Sequence, residues 1–148
     1  MDLCLAEKTD LAVRKEAYWC LGNALTLASF EHLTLLINLG FIEATVKLLD
    51  CKIERVISLA LESLEICFNA YNNFAHVPQS ASFNPLIEKM EELGGLNLLE
   101  SILAIQRLSQ RCRDQVSHFV ARYWPMDNFS NDDVSDEIQV GIGNIMLS

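Results

Sequence analysis

Trp19 and Asn23 stand one helical turn apart in Val13-Arg14-Lys15-Glu16-Ala17-Tyr18-Trp19-Cys20-Leu21-Gly22-Asn23. At about 100° per residue, Val13, Ala17, Cys20, Leu21 and Ala24 form an apolar stripe that should face a core, and Trp19 points away from it. An outward indole can pack on Lys or Arg stems and attract their charge, and an amide one turn later can donate to and accept from peptide backbone. The pair therefore suits an extended basic chain. A Trp covered by a neighbouring helix is the competing reading.

Other chemistry finds little support. The five cysteines, Cys4, Cys20, Cys51, Cys67 and Cys112, are scattered without a Cys-x-x-Cys pair, and His32, His76 and His118 are each isolated, so neither a disulfide framework nor a zinc site follows. Cys20, Cys67 and Cys112 fall on apolar stripes of expected helices and should be buried free thiols in a reducing compartment. There is no phosphate-cradling glycine loop, no Gly-x-Ser-x-Gly elbow and no His-Glu-x-x-His. Glu88, Glu91 and Glu92 read as a solvated helix face, and His118 as a packed or exposed side chain rather than a base. No enzyme activity and no cofactor is expected.

The elements that must position Trp19 and Asn23 are helical. Ile37-Asn38-Leu39-Gly40-Phe41-Ile42 is echoed by Met90-Glu91-Glu92-Leu93-Gly94-Gly95-Leu96, and in both places a glycine just past a short helix supplies a left-handed cap. After the first turn a helix is expected over 42–49 and a long one over about 52–71, striped by Ile53, Val56, Ile57, Ala60, Leu61, Leu64 and Phe68. After the second turn come a helix over 96–105 and a long one near 109–124, striped by Cys112, Val116, Phe119, Val120 and Tyr123 and ended by Pro125. The unit is short helix, glycine turn, medium helix, long helix. It occurs twice, and the Trp19 helix reads as the long helix of an earlier, incomplete unit. Residues 72–85 read as an inserted loop, without which the period falls in the range of roughly 40 to 47 expected of armadillo or HEAT units. Two and a half units are few for a solenoid, so the chain reads as part of a longer array or a shortened one, with self-association expected at the face beside the Trp19 helix.

A chain of 148 residues with 51% hydrophobic and 21% charged residues can bury the core of one domain, and 3 Pro with 6 Gly are too few breakers for a small β sandwich. Eleven Lys and Arg against 20 Asp and Glu give a net charge of -9, which repels nucleic acid and anionic membranes and favours basic partners. No stretch reaches the roughly 20 apolar residues of a membrane span, and the first residues lack the basic start of a signal peptide. Cytoplasm and nucleus are the expected locations. Asp127, Asp132, Asp133, Asp136 and Glu137 make the last stretch acidic, and 126–148 is expected to be a disordered tail.

Arg14-Lys15-Glu16-Ala17-Tyr18-Trp19-Cys20-Leu21-Gly22-Asn23 resembles the Lys-Glu-Ala-x-Trp-x-x-x-Asn signature of the importin-α (karyopherin-α) armadillo family. Leu39-Gly40-Phe41-Ile42, Lys47-Leu48-Leu49, Leu86-Ile87-Glu88 and Glu92-Leu93-Gly94-Gly95-Leu96 resemble that family's last repeats in the same order, over roughly residues 11–124, followed by an acidic tail. The resemblance implies an all-α, right-handed armadillo α-solenoid of about two and a half repeats over 1–125 and the acidic tail over 126–148. It implies an adaptor of nuclear protein import whose third helices line a concave groove for basic nuclear localisation signals. Trp19 would pack on a cargo Lys or Arg stem, Asn23 would hydrogen-bond cargo backbone and Glu16 would face a basic head group, in the minor signal site. Leu59 and Ser63 replace Trp and Asn in the next repeat and should not bind cargo. The last repeats and tail resemble those recognised by the family's recycling exportin, whereas the segment that binds importin-β has no counterpart in this chain. The alternative is a degenerate armadillo scaffold that binds proteins but no cargo signal.

Overall fold

The computed structural model describes Met1 and residues 10–74 and 84–126, and every regular element among them is an α-helix. In chain order these are α1 (Leu11–Leu25), α2 (Phe30–Asn38), α3 (Phe41–Leu49), α4 (Glu54–Phe74), α5 (Pro85–Glu92), α6 (Gly95–Leu103) and α7 (Gln110–Tyr123). The fold class is all-α. The acidic segment 127–148 and most of the expected loop, 75–83, lie outside the described residues.

Helix starts follow local chemistry. Asp10, Ser29, Asn84 and Ser109 each accept a backbone N–H from the first turn of the helix that follows, satisfying donors that have no intrahelical partner. The two glycine turns are real: Gly40 has φ 97° and Gly94 φ 75°, a region that L side chains seldom occupy. At the first of them α2 and α3 are bent by 65°. At the second, a Cβ on the adjacent Gly95 would come within 2.9 Å of the Met90 carbonyl oxygen, so that position admits no side chain without backbone movement.

Two short helices joined by a glycine turn and followed by a longer helix therefore occur twice, as α2–α3–α4 and α5–α6–α7, with no medium helix distinct from the short one. The long helix α4 is central, packed by α1 on one side and α7 on the other, while α3 packs on both α5 and α6. The stripe expected on α4 is buried from Val56 through Phe68, with Ile53 at its half-buried start. On α7, Cys112, Val116 and Phe119 are buried. Phe68 joins the two long helices, its ring centroid 6.0 Å from Phe119 and 4.9 Å from Tyr123. A fully buried Phe of this kind stabilises by about 1.5–3 kcal/mol through burial, and the aromatic contacts add to it.

Two expectations need correction. The stripe assigned to the core side of α1 is not the buried one: Val13, Cys20 and Ala24 are exposed, and Tyr18, Gly22 and Leu25 are buried instead. Cys20 is consequently an exposed thiol, whereas Cys67 and Cys112 are buried as expected. The loop expected over 72–85 is also shorter than its composition suggests. α4 continues through Asn72 and Asn73 to Phe74, and Asn84 and Pro85 already belong to the start of α5. The Asn84 amide donates to the Phe68 carbonyl (3.2 Å) and to Asn72 Oδ1 (2.9 Å), and Phe74 stacks on Phe30 at 5.3 Å. Tertiary partners thus hold the last turn helical despite its paired asparagines.

Candidate functional site

α1, α4 and the first turns of α7 border an open groove of about 920 Å³. Glu16 and Trp19 line it from α1, Leu59 and Glu62 from α4, and Arg111 and Gln115 from α7. Trp19 is 52% exposed, so no neighbouring helix covers it.

The outward setting of Trp19 follows from the residue before it. Tyr18 is fully buried, stacks on Phe41 with centroids 5.3 Å apart, and shares a 2.8 Å hydrogen bond with Thr45. With Tyr18 pinned inward, the next residue is turned about 100° round the helix towards the groove. Gly22 sets how closely α1 lies on α4: a Cβ there would meet Leu59 Cδ1 at 3.0 Å and Ser63 Oγ at 3.2 Å. Ser63 is buried under that contact, where an extended ligand has no access.

Of the three residues singled out, Glu16 and Trp19 share the groove, whereas Asn23 is exposed one turn further along α1 and is not part of its lining. The groove also holds Lys15, Glu54 and Arg55, which the sequence reading did not select. Arg55 and Arg111 each occupy the second position of a long helix, and that repetition is the signal from which they could have been found.

One carboxylate in the groove is structural. The Ser109 N–H and hydroxyl both donate to Glu54, which ties the first turn of α4 to the start of α7. Beside it the Ser58 hydroxyl donates to Gln115 Oε1 at 2.7 Å. Lys15, Glu16, Arg55, Glu62 and Arg111 form no ion pair among the described residues. Three carboxylates therefore face three cations, and the groove is nearly neutral in a chain of net charge -9.

The remaining candidates are quiet. His118 Nδ1–H donates to the Asp114 carbonyl (2.7 Å) beside a smaller opening of about 350 Å³ between α4 and α7. Burial pushes the Cys67 thiol up to about 12, which keeps it protonated and unreactive at neutral pH. Among the described residues no group of three or more His, Cys, Asp or Glu is arranged to hold a metal ion, and no single helix is long and apolar enough to cross a membrane. Compared with known proteins, the chain matches no family model, no curated protein and no solved structure.

Proposed function

We propose that the chain is a protein-binding adaptor of nuclear protein import, an armadillo-type right-handed α-solenoid whose groove receives basic localisation peptides, and that it is not an enzyme. The observation that carries this reading is the half-exposed Trp19 beside Glu16, on a helix whose other aromatic is locked in the core. A Lys or Arg stem lying on the indole would bring its charge to the Glu16 carboxylate, with Glu62 facing it from α4. Asn23, one turn along, would bind peptide backbone where the ligand leaves the groove. The twice-repeated helical unit supports the solenoid, since its long helices pack side by side along one surface.

The same resemblance proposes the recycling exportin as a second partner, engaging the last helices and the acidic 126–148 tail in nucleus and cytoplasm. The scaffold reading, which retains protein binding without cargo signals, is favoured by one observation: Lys15, Arg55 and Arg111 share the groove with the carboxylates and would repel a uniformly basic ligand.

Titration of a fluorescent basic localisation peptide at fixed salt separates the two. Saturable binding weakened about fivefold or more by both Trp19→Ala and Glu16→Gln supports the adaptor. Binding that is absent, or indifferent to both substitutions, supports the scaffold.

A further inference from the structure

The cations of the groove lie at one end of it. Arg55 is the second residue of α4, Arg111 the second of α7, and Lys15 lies in the first turns of α1, whereas Glu62 sits two turns further along α4. Both guanidiniums are exposed and free of ion pairs among the described residues; of the carboxylates at that end, Glu54 is engaged by Ser109 and Glu16 stands next to Lys15 on α1. A uniformly basic peptide leaves these charges opposed. An alternating one matches them.

We propose that the groove selects peptides of mixed charge: a basic side chain seated on Trp19 and Glu16, accompanied by acidic side chains that reach Arg55 and Arg111. The proposal rests on the peptide-binding reading above and names the substrate class of that same site. Its spacing follows from the packing order. Packed helices lie about 8–10 Å apart and extended peptide advances about 3.3 Å per residue, so the step from α1 to α4 spans about three peptide residues and the step from α1 to α7 about six. An acidic residue about three positions from the anchoring Lys or Arg falls to Arg55, and one about six positions away to Arg111. Pairs of this kind at a groove rim add modest affinity and larger selectivity, because like charges placed opposite one another are penalised.

The test is a fluorescence anisotropy titration of the full chain at fixed low salt with synthetic peptides. One set carries a Lys-Arg anchor in a neutral Gly-Ser spacer, and the others add Glu at three, at six, or at both positions on either side of the anchor. The doubly acidic peptide of one polarity is expected to bind about three- to fivefold more tightly than the neutral-spacer peptide. Arg55→Glu and Arg111→Glu, both at exposed positions, should each abolish part of that gain, read within each variant as the ratio of acidic-spacer to neutral-spacer affinity. Acidic residues that weaken binding or leave it unchanged at every spacing overturn the proposal, as does a gain that survives both charge reversals. Trp19-dependent binding of the neutral-spacer peptide with no acidic gain removes this inference alone. Loss of all Trp19-dependent binding removes the peptide reading together with it.

Discussion

The Tyr18 hydroxyl donates to Thr45 Oγ1 across 2.8 Å of fully buried core, joining α1 to α3. The direction follows from Thr45, whose single hydroxyl proton is already given to the Phe41 carbonyl at 2.8 Å. This bond, with the Tyr18–Phe41 stack, fixes the rotation of α1 and so decides that Trp19 faces the groove.

Replacing Tyr18 by Phe keeps the ring stack and removes the donor. The expected cost is about 1 kcal/mol of stability, read as a lower midpoint in chemical denaturation with an unchanged slope. An unchanged midpoint would show that the hydroxyl pair does not hold α1 in place.

Gly22 lets α1 lie close against α4. A leucine there must displace Leu59 and Ser63, and Gly22→Leu is expected to destabilise by about 1–3 kcal/mol through overpacking, despite the better helix propensity of Leu. Thermal unfolding checks this, and a melting temperature at or above that of the parent would contradict the close approach of the two helices.

The thiols should separate by exposure. Iodoacetamide applied to the native protein near neutral pH, followed by peptide mapping, is expected to modify Cys20 readily and spare Cys67. Because burial raises the Cys67 pKa from 9.0 to about 12, the folded state retains a proton that the unfolded chain loses. The contribution of this group is complete below pH 9 and is lost as pH rises towards 12, at up to about 1.4 kcal/mol per pH unit. Cys67→Ala should flatten that alkaline decline, and an identical decline in the variant would contradict the assignment.

The legible parts of the fold were those with strong local physics. Gly40 and Gly94 marked the two turns because only a left-handed residue closes a helix that sharply, and the α4 stripe from Val56 to Phe68 repeats at helical spacing over several turns. The rotation of α1 was not legible. Its buried line consists of Tyr18, Gly22 and Leu25, and neither a hydroxyl-bearing ring nor a glycine weighs as apolar in a pattern, although one is anchored by Thr45 and the other admits Leu59. The extension of α4 past Asn72 was hidden for a related reason, since it depends on Asn84, 12 residues later. At the site, Trp19 stood out as an aromatic out of phase with an apolar stripe that the structure does not bury, so its outward setting rests on Tyr18 rather than on that pattern. Arg55 and Arg111 did not stand out, because their shared groove exists only once α4 and α7 pack.

The most direct test of the account is a two-dimensional NMR titration of the two tryptophan indole N–H resonances with the basic peptide, assigned by Trp19→Phe. Trp19 faces the groove, whereas the Trp124 indole donates to Glu91 and its ring packs 6.2 Å from Phe119, so Trp124 serves as an internal control. Peptide binding in the groove predicts a saturable shift of the Trp19 signal with Trp124 unmoved. Peptide binding that leaves the Trp19 signal in place, or moves Trp124 instead, would contradict it.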